Sequence, residues 1–316
     1  MSRLGWLAAS VATASIIGCV TGGGPTPVPV TRQAWSEEGL CGRRLATEHF
    51  EIISTLHDME FENALPAFLE AAYKRYEETI PSSNKVETKL TTYIFNTRSE
   101  WAQFMRRHFP VRYNLYARIR SGGFSEGDKS ASFHVSRSTT LAVLAHEGWH
   151  QYIASRFDAP IPAWLNEGLA CYHEALEFAG PAPRFTPQHN TFRINSLRKA
   201  VHEDKIMSLR EIVDTDAGQI IGRCDSDTTQ VYYAQAWALV TFLRHGAGGR
   251  REAAFERMLR DIVDGTFPVH VSAMRLRAGD GATMSIGEAT LTAYFNSSPN
   301  EMSGEYYDHL VSLVGF

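Results

Sequence analysis

The chain has 316 residues, 44% of them hydrophobic and 21% charged, and carries a formal net charge of −4. That length and composition suffice for a globular body with one sizeable core. Slight acidity and the lack of any long basic run argue against nucleic acid as the main partner, and the pair Arg106-Arg107 reads as solvated helix surface.

In chain order, a single Arg3 precedes a run of apolar and small residues from Leu4 to Gly18, ending Ile16-Ile17-Gly18-Cys19. The run falls short of the roughly 20 apolar residues that a membrane span needs. It resembles a bacterial lipoprotein signal peptide, residues 1–18, with its lipobox, which implies cleavage before Cys19 and lipidation of that cysteine. Several acyl chains anchor stably where one is marginal. The resemblance therefore implies a body tethered by a lipid anchor to a membrane in the bacterial cell envelope, and Val20 after the cysteine implies the outer membrane. A plain secretory signal with an incidental Cys19 is the competing reading. Residues 19–44 are expected to be a spacer, because Pro25, Pro27 and Pro29 alternate there and favour extended polyproline II at about 3 Å per residue.

Two subdomains are expected beyond the spacer, 45–178 and 179–316. His49 to Thr55 predicts a strand, Glu62 to Glu78 a helix, Lys89 to Phe95 a strand, Ser99 to His108 a helix and Ser130 to Val135 a further strand. Between them Gly122 to Asp128 reads as a solvated turn. Next, Thr139 to Ala154 is a helix without a breaker, carrying His146-Glu147-Gly148-Trp149-His150. Histidines four apart lie on one helix face, so both imidazoles reach one metal ion, while the glutamate between them stays off the metal as a proton acceptor. Gly148, unfavourable in a helix by about 1 kcal/mol, predicts another backbone packed closely at that turn. A second helix brings Asn166-Glu167-Gly168 and Glu174. After Phe178 the Gly/Pro-rich stretch 180–187 is a loop. Phe192 to Glu203, Tyr232 to His245, Arg250 to Val263 and Gly304 to Val314 are then expected to be helices. For Arg193 and Arg198 two placements stand, a cleft that binds a substrate carboxylate or plain surface. His134 reads as a strand-face residue.

These motifs resemble the gluzincin metallopeptidases, the thermolysin-like and aminopeptidase N-like zinc enzymes. The likeness spans roughly residues 45 to 245, and its specific motifs lie within 139–175 and 232–243. It implies Zn²⁺ held by His146, His150 and Glu167, with Glu147 as general base. The run Asn166-Glu167-Gly168-Leu169-Ala170-Cys171-Tyr172-His173-Glu174 is similar to the family's N-E-G-x-x-x-Y-x-E, which places Glu174 behind a ligating imidazole as its hydrogen-bond partner. Glu167 follows His150 by 17 residues, close to the family interval. Tyr233 matches the family's oxyanion tyrosine, although Gln235 stands where a lysine is usual; a core or rim tyrosine is the other reading. The family's motif for gripping a free amino terminus is absent, so exopeptidase action is not implied.

The resemblance thus implies an α+β, zincin-like fold, with a mixed β-sheet in the N-terminal half and a mostly helical C-terminal half, that hydrolyses peptide bonds of a peptide or protein substrate. Ser130 to Val135 is the expected edge strand for an extended peptide. A catalytically silent lipoprotein that binds an envelope partner or polymer is the alternative, and a zinc hydrolase of non-peptide amides is a third. Beyond Cys19 the cysteines are Cys41, Cys171 and Cys224, so at most one disulfide forms. Cys171 reads as a packing residue, which leaves Cys41 and Cys224 as the candidate pair.

Overall fold

The computed structural model describes residues 28–81, 88–117, 122–157, 161–177, 184–215, 226–277 and 284–315. The expected signal peptide, Cys19 and Cys224 lie outside the described residues, and with them the lipidation candidate and the disulfide candidate. Among the described residues no helix is long and apolar enough to cross a membrane.

Folding begins earlier than the expected spacer allows. Strands β1 (Thr31–Glu37) and β2 (Leu40–Ala46) form a hairpin through Glu38 and Gly39, both at positive φ (47° and 85°), the backbone that a two-residue primed turn requires. No proline follows Pro29 here, so the ladder is uninterrupted. β3 (Phe50–Ser54) pairs antiparallel with β2, and helix α1 (Met59–Thr79) then crosses over to β4 (Leu90–Phe95), parallel to β3. Helix α2 (Arg98–His108), closed by a capping box between Thr97 and Glu100, and the single turn α3 (Tyr113–Tyr116) lead to β5 (Gly123–Glu126) and β6 (Lys129–Phe133). β6 inserts beside β4, giving the order β1-β2-β3-β4-β6-β5. Among the described residues the edges of this sheet are therefore β1 and β5, and the stretch expected as an edge, on β6, is interior.

Helix α4 (Arg137–Arg156) and helix α5 (Ala163–His173) follow, then α6 (Thr191–His202), α7 (Leu209–Asp214), α8 (Ser226–Gly249), α9 (Glu252–Val263), α10 (Phe267–Arg277), α11 (Ile286–Phe295) and α12 (Pro299–Val314). The mixed sheet and the helical C-terminal half are those expected. The period-2 alternation of β4 sorts the sheet faces: Leu90 and Ile94 enter the main core, while Tyr93 and Phe95 meet Trp101 and Phe104 of α2 in a smaller cluster. The main core runs without interruption from Leu45 to Val314, so both halves of the chain share it.

Polar groups lock α4 onto this frame. Gln151 of α4, fully buried, donates to Thr91 O (2.9 Å) and Asp128 O (2.7 Å) at the sheet. Tyr76 of α1 donates to Ala145 O at 2.7 Å, and Tyr152 donates back to Ile80 O at 2.7 Å. Each buried phenol thus keeps a hydrogen-bond partner while its ring fills the helix interface. A Cβ on Gly148 would stand 2.7 Å from the Tyr76 hydroxyl, so the glycine makes room for a side chain and not for another backbone. The close backbone approach occurs one helix later. There a Cβ on Gly168 would lie 2.5 Å from Ala236 O of α8.

At the start of β3, His49 Nδ1 sits 2.6 Å from Glu70 Oε2 and its ring stacks on Tyr73 at 3.8 Å. Burial works against charge on both partners, yet their mutual hydrogen bond, neighbouring hydrogen bonds and charge attraction together outweigh it, raising the pKa of His49 and lowering that of Glu70. The histidine's share of stability is present below its unfolded value of 6.5 and is lost as pH rises through the folded value. The glutamate's share is present above 4.5 and is lost as pH falls through its folded value. Both act together between those limits. Thermal melts of Glu70→Gln should therefore show the largest drop in Tm near pH 5.5, shrinking by pH 9; an equal drop at both values would refute the pairing.

Candidate metal centre

Ser136 caps α4 by accepting from Thr139 N, and the helix then runs unbroken through His146 and His150, one turn apart. α5 packs back across it and presents Glu167. His146 Nε2 and His150 Nε2 are 3.2 Å apart, and each lies 3.3 Å from Glu167 Oε2. These three atoms form a nearly equilateral triangle.

Their protonation follows from what lies behind them. Trp149 Nε1 can only donate, and it does so to Asn166 Oδ1 at 3.0 Å, which fixes that atom as the oxygen. The same oxygen is 3.2 Å from His150 Nδ1, so the hydrogen of His150 sits on Nδ1. His146 Nδ1 is 2.8 Å from Glu174 Oε1, another pure acceptor, and therefore also carries a hydrogen. Both Nε2 atoms are left to turn lone pairs toward each other and toward a carboxylate oxygen. Glu167 Oε2 is buried and has no hydrogen-bond partner among the described residues. Three acceptors converging without a donor are unfavourable unless a cation or proton stands between them. Burial works against charge on His146, yet its neighbours Cys171, Glu167 and Glu174 together outweigh that and hold its pKa well above the imidazole range.

Among the described residues, His146, His150 and Glu167 form one of two groupings able to hold a metal ion; the other combines His146, Cys171 and Glu174. The first fits a small tetrahedral cation. Metal–ligand bonds of about 2.0–2.1 Å at tetrahedral angles put the ligand atoms about 3.3 Å apart, the spacing found here. The second does not compete. Burial pushes the Cys171 thiol up to about 11, and the Arg193 guanidinium already occupies both oxygens of Glu174.

A family model described as a protein of unknown function (DUF1570) matches residues 140–263. No curated protein matches the chain. The matched stretch, less than half of the chain, contains every residue of the triangle together with Glu147, Glu174, Arg193 and Tyr233.

Glu147 projects from α4 toward β5. A Cβ on Gly123 would come within 3.3 Å of its Cγ, and the Ser125 side chain hydrogen-bonds its carboxylate. Burial raises its pKa, and the neighbouring histidines offset only part of that effect. A carboxylate displaced toward neutral pH is suited to accept a proton and return it. Tyr233 of α8 stands across the triangle, its ring 5.8 Å from that of His146. Burial, together with the Glu167 and Glu147 carboxylates, pushes its pKa well above the usual phenol value, so it remains a donor. The Gly168–Ala236 contact sets how close α8, and Tyr233 on it, approach α5.

Other candidates fall elsewhere. Arg193 is neither a cleft residue nor surface: it is buried against Glu174. Arg198 reaches Asn195 and the carbonyl of Val314, away from the triangle. The stretch 122–128, expected as a solvated turn, is largely β5, where Glu126 meets Arg112 and Tyr116, and His134 meets Thr140. Sequence reasoning missed Ser125, Asn190 and the roles of Asn166 and Arg193, because each acts through a contact made only in the folded chain.

Proposed function

We propose that the protein is a zinc-dependent metallopeptidase, tethered through Cys19 in the bacterial envelope, that hydrolyses peptide bonds. The observation that carries this reading is the convergence of His146 Nε2, His150 Nε2 and Glu167 Oε2, with Glu147 beside them. Two imidazoles and a carboxylate favour zinc over the harder cations, which prefer oxygen alone. Zinc held there supplies a Lewis acid and lowers the pKa of water. Glu147 accepts the proton of the attacking water and delivers it to the leaving amine. Tyr233 donates a hydrogen bond to the carbonyl oxygen as charge develops on it. β5, a free edge running past Glu147, supports binding of an extended peptide by strand addition.

The test is incubation of the full-length protein with a peptide library, read by mass spectrometry. Cleavage should be abolished by 1,10-phenanthroline and restored by added zinc. Cleavage indifferent to the chelator overturns the metal mechanism. A zinc-loaded protein that cleaves no library member overturns the peptidase reading.

A further inference from the structure

The carboxylate that holds His146 is itself held on several sides. Glu174 is the C-cap of α5, where nothing in the helix fixes its side chain. α6 supplies the restraint. Its N-cap, Asn190, donates through Nδ2 to Glu174 Oε2 (3.0 Å) and to Cys171 O (2.9 Å), and its Oδ1 accepts from Arg193 N. Arg193, its side chain 7% exposed, donates from Nε to Glu174 Oε2 (2.8 Å), from Nη2 to Oε1 (2.6 Å), and from Nη1 to Gln230 Oε1 on α8 (2.9 Å). Its guanidinium also lies 5.4 Å from the Tyr233 ring. One planar group thus joins the end of α5, the start of α6 and the face of α8 that carries Tyr233.

That arrangement needs the guanidinium fork. An ammonium could neutralise Glu174, but it could not fix both carboxylate oxygens in one plane and reach Gln230 as well. Apolar residues of similar volume would pack in such a position without the desolvation cost of an ion pair, so stability alone does not account for the pair. With both oxygens pinned, Oε1 meets His146 Nδ1 from one direction only. The imidazole plane and its Nε2 lone pair are then fixed toward the triangle.

We propose that Arg193 is a positioning residue for the metal centre, orienting His146 through Glu174 and tying Glu174 to α8 through Gln230. This rests on the metal-centre reading above and goes beyond it by assigning the part of the fold that sets the ligand's direction.

The experiment compares full-length parent, Arg193→Lys and Gln230→Leu for Zn²⁺ affinity by chelator competition and for the visible spectrum of the Co²⁺-loaded protein, with thermal melts to verify folding. Arg193→Lys should weaken Zn²⁺ binding about 10–100-fold, the range for residues that support a ligand from behind, and should shift the Co²⁺ bands. Gln230→Leu should act in the same direction and less. In a Glu174→Gln background, Arg193→Lys should add less than about twofold, since it acts through that carboxylate. Parent-like affinity and spectrum in folded Arg193→Lys, or full additivity with Glu174→Gln, overturns the inference alone. Should Arg193→Lys fail to fold, a parent-like Gln230→Leu overturns it. A parent that binds neither Zn²⁺ nor Co²⁺ overturns the metal-centre reading and this inference with it.

Discussion

Glu167→Ala should purify without stoichiometric metal, whereas the parent, loaded with zinc and desalted, should retain close to one equivalent. Elemental analysis of the full-length proteins measures both. The size of the effect follows from the triangle. Outer partners of a ligating histidine alter metal affinity about 10–100-fold, and Glu167 contributes one of the three converging atoms, so its removal should exceed about a hundredfold. It also removes the negative charge facing His146 and His150. The fold should tolerate the change. Glu167 Oε2 makes no hydrogen bond that the fold depends on, and α5 is held by Gly168 against α8 and by Trp164, Leu165 and Leu169 in the core. Metal-free parent and variant should therefore melt within a few degrees of each other. If the variant keeps an equivalent of zinc, the ligand assignment is wrong; if it unfolds, Glu167 is a structural residue.

The residues of the triangle and Glu147 were legible in the sequence for two reasons. Helical periodicity puts His146, Glu147 and His150 within about one turn of α4, and the family resemblance implied Glu167, on α5, as the third ligand. Glu174, two turns past Glu167, was legible through the same family motif. What lay behind these residues was not. Arg193 is 19 residues from Glu174 along the chain, and only the packing of α6 brings its fork onto that carboxylate. Asn166 reads in sequence as part of a motif, but its function of fixing the His150 tautomer depends on Trp149 reaching the same oxygen. Gly148 was rightly singled out as crowded, yet the crowding atom belongs to Tyr76, whose partner could not be inferred from α4 alone.

The sheet edges were the least legible part. β1 is largely exposed along its length, so no alternation of apolar residues marks it, and it was absorbed into the expected spacer. β5 is four residues long and contains Gly123, giving it no β-forming signature. Yet these four residues supply the free edge and place Ser125 against Glu147. Hydrophobic pattern reports burial in a core, and an edge that receives an extended partner has little of it.

Glu147→Gln should bind zinc as the parent does and lose turnover by at least about a hundredfold, up to about ten-thousandfold, the span for loss of a general acid–base group. The amide matches the carboxylate in volume, so it meets the close approach of Gly123 without displacing β5. It also keeps an oxygen for the Ser125 contact. What it lacks is a carboxylate that can take up a proton, a capacity favoured in Glu147 because burial raises its pKa. Since Glu147 is not one of the three converging atoms, metal content should be unchanged, and the loss should fall on kcat with KM nearly constant. The measurement is steady-state hydrolysis of a library peptide cleaved by the parent, beside elemental analysis of the same samples. Turnover within tenfold of the parent would remove Glu147 from the reaction. Loss of metal would make it part of the coordination sphere, and the proton would then need another acceptor. Of the residues placed near the triangle, Tyr233 is held as a donor and Glu174 is held to about 2 by Arg193 and His146 despite its burial, so neither could take that role.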